Sequence, residues 1–184
     1  MLDRLDRLDR PDNILHFAPE PRVAARLKSI ARNRYVGADL DSVGDVCLDI
    51  TRLPLPDRSI DLIVCCHVLE HIRDDGAAIA ELGRVLTPNG VAIIQFPTGK
   101  LAVTDEDFDL DADERTLRYG QADHVRQYGA DVVSRLSAAF DDVTVVCGVD
   151  GPSYTVAPSC SDVAGFKSGN NGFECRSPSR RRQE

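Results

Sequence analysis

Ile60-Asp61-Leu62-Ile63-Val64-Cys65-Cys66-His67-Val68 is the most apolar stretch of the chain. Its length and β-branched content predict a strand buried on both faces, as in a parallel sheet. Downstream, Asp74-Asp75 opens an amphipathic helix running through Leu86, with Ile79, Leu82, Val85 and Leu86 inward and acidic residues at its positive end. Pro88-Asn89-Gly90 is a stop-and-turn signal, and Val91 to Phe96 is the next strand.

Upstream the same alternation holds. Asn13 to Phe17 is a short apolar strand that stops at Ala18-Pro19. Glu20 to Ala31 places Val23, Leu27, Ile30 and Ala31 on one face and Arg22, Arg26 and Lys28 on the other, as a helix does. Tyr35 to Ala38, ending at Asp39, and Asp45 to Leu48, ending at Asp49, read as two further strands. The prolines of Leu53-Pro54-Leu55-Pro56 exclude regular structure there. Strands alternating with helices mean βαβ units with right-handed crossovers, hence an α/β, doubly wound, Rossmann-like sheet.

After Pro97 the texture changes. Residues 98–128 hold few apolar side chains and a dense acidic run from Asp105 to Glu114, which reads as a lid or disordered insertion. Ala130 to Phe140 predicts a helix and Val143 to Val149 a strand, closing a main domain at 13–150. Residues 151–184 are rich in Ser, Gly and Pro; Gly172 to Cys175 predicts a last, antiparallel edge strand ahead of the basic end Arg180-Arg181-Arg182. At the other end, residues 1–12 repeat Leu-Asp-Arg and read as a charged arm stopped by Pro11.

Composition narrows the function. The chain has 184 residues, a net charge of -8 and 42% hydrophobic residues. That is enough for a core, and the charge argues against a nucleic-acid partner, which calls for a basic face. No apolar run approaches the ~20 residues of a membrane span, and the charged start is unlike a signal peptide. A soluble, cytoplasmic protein is expected. Among the 6 Cys no C-x-x-C pair occurs; Cys47, Cys65, Cys66 and Cys147 read as small hydrophobes, while Cys160 and Cys175 are expected nearer the surface.

In an open parallel sheet ligands bind beyond the carboxyl ends of the strands. Those ends are His16 to Glu20, Asp39, Asp49 and His67 to His71. Asp39 follows His16 by 23 residues, near the ~20-residue offset of a ribose-binding carboxylate; capping a turn is its plainer alternative. The first turn, Phe17-Ala18-Pro19-Glu20-Pro21, lacks the glycines a pyrophosphate needs, and Glu20 would repel one. This disfavours a nicotinamide oxidoreductase and suits an adenosyl ligand with a cationic group instead. His67-Val68-Leu69-Glu70-His71 also fits H-x-x-E-H, an inverted zinc-protease pattern. That chemistry needs both His on a helix plus a third ligand, whereas His67 directly follows a strand, so no metal is expected.

Asp49-Ile50-Thr51-Arg52-Leu53-Pro54-Leu55-Pro56-Asp57-Arg58-Ser59-Ile60-Asp61-Leu62-Ile63-Val64, followed by His67 to Ile72 and by Glu81 to Gly90, resembles the class I S-adenosylmethionine-dependent methyltransferases of the type 11 group. Tyr119 to Gly129 is similar to a "G-Q-x-D-H-V-R-x-Y-G" segment of a subgroup whose first motif also reads His-Phe-Ala-Pro-Glu. The resemblance implies S-adenosyl-L-methionine as cofactor. It implies that Asp39 and the adjoining Leu40 meet the ribose side, and that Asp49 and Ile50 meet adenine. His67 and Val68 would lie beneath the cofactor, with Glu70 and His71 near the methyl-transfer side. In the first motif, His16 stands at the family's acidic position, beside Phe17, and Ala18, Glu20 and Arg22 stand at its glycines; Glu20 is then the carboxylate for the methionine ammonium.

His71 and His124 are the candidate bases, since an imidazole titrates near working pH. The expected function is in-line methyl transfer to a small-molecule acceptor under the 98–128 lid. Its rival, motivated by the glycine-free first motif, is a catalytically inactive methyltransferase-like protein that works through a partner.

Overall fold

The computed structural model describes residues 10–40, 44–147, 153–156 and 169–177. The first nine residues of the charged arm, Cys160 and the cluster Arg180 to Arg182 lie outside these. In chain order the elements are β1 (Asn13–Phe17), α1 (Pro21–Ile30), β2 (Arg34–Asp39), β3 (Val46–Cys47), β4 (Ile60–Cys66), a 3-10 turn (Leu69–His71) and α2 (Asp75–Val85). They continue as β5 (Leu86–Thr98), β6 (Asp105–Glu106), α3 (Ala112–Tyr119), β7 (Arg126–Gln127), α4 (Val132–Ser137), β8 (Asp142–Cys147), β9 (Ser153–Val156) and β10 (Gly169–Arg176).

The main sheet runs β3-β2-β1-β4-β5-β10-β8-β9. The pairs from β3 through β5 are parallel, and β10 is antiparallel to both its neighbours. The expected doubly wound sheet with an antiparallel last strand is therefore present. β4 lies inside it, and period-two alternation splits its side chains between two cores. Ile63 and Cys65 join Phe17, Ile79, Leu82, Phe96 and Leu136 under α2 and α4. Leu62, Val64 and Cys66 join Val23, Leu27 and Ile30 under α1.

Several expectations change. Gly172 to Cys175 belongs to a strand that is not at an edge: β10 bonds β5 along Gly169–Arg176 and β8 along Asn171–Arg176. Cys175 is accordingly buried, whereas Cys47, expected inside, is exposed. Pro88-Asn89-Gly90 does not end a helix ahead of a fresh strand. It is an irregularity within β5, where the pairing jumps from Ile60–Leu86 to Leu62–Val91 and Asn89 takes a φ of 70°. Glu20 caps α1 rather than entering it, because Pro21 occupies the first turn.

The acidic insertion is folded. Asp111 accepts the amide of Glu114 and Glu114 accepts the amide of Asp111, a reciprocal capping box that starts α3 within the acidic run. β6 and β7 pair with each other, and β7 carries Arg126, whose side chain is fully buried. The Arg126 guanidinium donates to the carbonyls of Leu69, Ile72 and Arg73 and to Glu106 Oε2. Val125 N adds a bond to Glu70 O, and Tyr128 donates its hydroxyl to Asp75 at 2.9 Å. The insertion is thereby fastened to the turn after β4.

Removing Arg126 takes out a fully buried charge, leaves its partner Glu106 with one cation fewer and strips the carbonyls of Ile72 and Arg73 of the guanidinium. Arg126→Ala is expected to lower stability by roughly 3–5 kcal/mol, read from urea unfolding midpoints; a change below about 1 kcal/mol would show that water replaces the guanidinium.

Candidate active site

Phe17, Ala18, Asp39, Leu40, Ile50, His67, Val68 and His71 converge on one cleft of about 360 Å³ at the carboxyl ends of β1, β2 and β4. That volume lies within the ~300–1,000 Å³ of small-molecule sites. Its lining also includes Leu48, Ile72 and Asp123, which the sequence did not single out. Asp123 is the informative omission: its carboxylate stands 3.2 Å from His71 Nδ1, and its sequence cue is the acidic position of the Tyr119 to Gly129 segment, beside His124.

The first turn holds an unusual backbone. Ala18 has a φ of 46°, in the left-handed region, and its amide donates to Ala38 O at 2.9 Å. A glycine would adopt this conformation without cost; an alanine there carries about 1–2 kcal/mol of strain. The loop thus keeps a glycine-type geometry on an alanine.

Not every predicted residue lines the cleft. His16 is 1% exposed, and its Nδ1 lies 3.0 Å from Tyr35 Oη, out of the lining. Burial pushes the imidazole down to about 4 and the Tyr35 phenol up to about 12, the latter helped by the Asp45 charge. Asp49 is exposed and outside the lining too. Its Oδ1 accepts the Thr51 amide at 2.8 Å and hydroxyl at 2.7 Å, which hold its carboxyl below the usual range. A turn claims that oxygen, so Ile50 rather than Asp49 faces the cleft. Glu20 lies at the mouth of α1, exposed and without a capping bond, and its charge reaches Cys66 and His67.

At the end of β4, His67 also has a positive φ, 55°. Its Nδ1 meets Glu70 Oε1 at 3.2 Å, and this bond raises the imidazole's pKa above its ordinary value. Glu70 itself is buried. Behind His71 sits His124, 4% exposed, with Nδ1 3.1 Å from Tyr119 O. The two imidazoles meet edge to face with centroids 4.7 Å apart. The insertion therefore places His124 behind His71 rather than on the wall of the cleft.

Residues 13–94 match the profile of a family described as a methyltransferase domain. This part of the chain is similar to the methyltransferase domain. Curated relatives include a probable S-adenosylmethionine-dependent methyltransferase of Mycolicibacterium smegmatis, 41% identical over 49 residues, covering 27% of this chain and 19% of the relative. Another of that description, from Mycobacterium tuberculosis, is 29% identical over 103 residues, covering 55% of this chain and 34% of the relative. The chain thus matches about a third or less of these relatives' length. Among solved structures, a Burkholderia thailandensis 1,6-didemethyltoxoflavin-N1-methyltransferase with bound S-adenosylhomocysteine has a TM-score of 0.64 at 17% identity, covering 97% of this chain and 76% of that one. A Haemonchus contortus phosphoethanolamine N-methyltransferase 2 with S-adenosyl-L-methionine has a TM-score of 0.68 at 14% identity, covering 97% and 51%. These likenesses establish the fold. No helix among the described residues is long and apolar enough to cross a membrane.

Two outcomes follow for this turn and strand. Ala18→Gly relieves left-handed strain but loosens the unfolded chain, for a net gain of roughly 0.5–1 kcal/mol, whereas Ala24→Gly within α1 costs about 1 kcal/mol; equal losses in both variants, by thermal unfolding, would contradict the strain. His16 is neutral in the fold down to about 4. The unfolded state binds the extra proton below about 6.5, so stability falls as pH drops from there towards about 4, by roughly 3 kcal/mol. His16→Gln should flatten that part of the pH–stability curve, measured by urea unfolding at several pH values; an unchanged slope would assign the acid sensitivity elsewhere.

Proposed function

We propose that this protein is an S-adenosylmethionine-dependent methyltransferase acting on a small-molecule acceptor. The observation that carries the reading is the single cleft in which Asp39, the left-handed Ala18 turn and the walls of Phe17, Leu40, Ile50 and Val68 meet. These residues fit an adenosyl ligand: a carboxylate for vicinal hydroxyls and apolar surface for a purine, with no phosphate-binding glycine loop. When bound, S-adenosylmethionine supplies a methyl group already activated on a sulfonium.

Each side chain then has a task. Asp39 accepts the ribose hydroxyls, and Leu40 and Ile50 sandwich the adenine. Ala18 keeps the first turn open to the ligand's amino-acid end, with the Glu20 carboxylate as counter-charge for its ammonium. His67 and Val68 form the floor. In-line transfer asks the protein chiefly to position two reactants and exclude water. The folded insertion does this at the acceptor end, where Asp123 orients His71. The net charge of -8 and the acidic insertion favour a neutral or cationic acceptor over a nucleic acid.

Calorimetric titration with S-adenosylhomocysteine tests the reading. Micromolar binding is expected, weakened at least about a hundredfold in Asp39→Ala, since a carboxylate losing two charge-assisted bonds forfeits about 3 kcal/mol or more. Absence of binding by a cooperatively folded chain would favour the inactive, partner-dependent alternative, and unchanged affinity in Asp39→Ala would remove that residue from the site.

A further inference from the structure

We propose that Glu70, His71 and His124 bind a divalent first-row transition-metal ion at the acceptor edge of the cleft. One donor atom from each of the three lies within 4.8 Å of the others. Donors about 2.1 Å from a shared metal stand ~3.4 Å apart in a tetrahedral set, so small side-chain rotations close the site.

An independent observation points to the same place. Glu70 is 1% exposed, and its Oε1 is satisfied by His67, but its Oε2 is buried with no hydrogen-bond partner among the described residues. A carboxylate oxygen left so is costly. The neighbouring guanidinium of Arg126 does not relieve it, being committed to the carbonyls of Leu69, Ile72 and Arg73 and to Glu106. A cation between Glu70 and the two imidazoles does.

The imidazoles are also set up as ligands. His124 Nδ1 faces the carbonyl of Tyr119 at 3.1 Å, an obligatory acceptor, so Nδ1 carries the proton and Nε2 the lone pair. His71 Nδ1 faces the Asp123 carboxylate at 3.2 Å, which selects the same tautomer. A carboxylate or carbonyl on the far nitrogen is the usual support of a metal-bound histidine. Stacking alone would explain the paired rings but not the orphaned oxygen beside them.

The H-x-x-E-H pattern is thereby re-divided. His67, which follows the strand, is no ligand; it holds the far oxygen of Glu70, and the third ligand arrives from the insertion as His124. This replaces the expectation from sequence that no metal binds. Two imidazoles and one carboxylate favour ions such as Zn²⁺, Co²⁺, Mn²⁺ or Fe²⁺ over Ca²⁺. His71 is 28% exposed by its side chain and lines the cleft, so the ion's open positions face the acceptor. On the methyltransferase reading, the acceptor is a compound whose oxygen coordinates the ion, which lowers that hydroxyl's pKa and makes it the better nucleophile.

The test is a Co²⁺ titration of the chelator-stripped full chain, followed by visible d–d absorption, with S-adenosylhomocysteine binding measured in parallel. One ion per chain is expected, displaced by Zn²⁺ and without thiolate charge-transfer bands. Glu70→Gln and His71→Gln, both checked for cooperative thermal unfolding, should weaken it about a hundredfold, and Asp123→Asn about tenfold. No saturable binding, thiolate bands, or undiminished affinity in a folded Glu70→Gln protein would overturn the metal site. Loss of S-adenosylhomocysteine binding with Co²⁺ binding intact would instead overturn the cofactor reading and leave the metal site standing.

Discussion

A single buried guanidinium holds the cleft together. Arg126 comes from a two-residue strand in an acidic insertion, yet it ends among three carbonyls of the turn that follows β4. Those carbonyls lie just beyond the sheet, where the short turn supplies one donor of its own, Ile72 N to Leu69 O, and the guanidinium supplies the rest. The charge is tolerated because Glu106 pairs with it at 3.0 Å and Arg135 binds Glu106 in turn. Bonds from Arg135 and Arg126 hold the Glu106 carboxyl below its usual range. Glu70 and His71 occupy the turn that Arg126 fixes, which makes the insertion part of the site's foundation.

How far the sequence foretells this arrangement depends on the range of the interactions involved. β1, α1, β2, β4 and α2 follow from periodicity, because each buries a face whose pattern is written locally. The cleft was legible for the same reason: Phe17, Ala18, Asp39, His67 and His71 sit at strand ends, and strand ends in a parallel sheet share one rim. β10 was misread as an edge because its two partners lie far back in the chain and pairing order leaves no local mark. Arg126 stands within the Tyr119 to Gly129 segment, but its burial left no local mark for a different reason. An arginine in a polar segment looks solvated until the carbonyls that surround it are known.

Side-chain hydrogen bonds decided the remaining differences. Asp49 stands in the expected place after β3, but Thr51 takes one of its oxygens and turns the chain so that Ile50 faces inward. His16 occupies a position where the family has an acid, and Tyr35 draws its ring away from the rim. Conversely, the missing glycines of the first turn cost less geometry than their absence suggests. Ala18 reaches the left-handed conformation anyway, held by its bond to Ala38. Backbone shape outlasts the residue type that usually produces it.

The position of β10 bears on how the chain folds. It is the last strand described, yet it separates β5 from β8, and both offer it hydrogen bonds along their length. Until β10 docks, β5 and β8 each keep an unpaired edge. They have two poor options, to pair directly with each other in a sheet one strand too narrow, or to meet another chain. A folding intermediate in which β10 has not yet docked is therefore the chain at its most aggregation-prone.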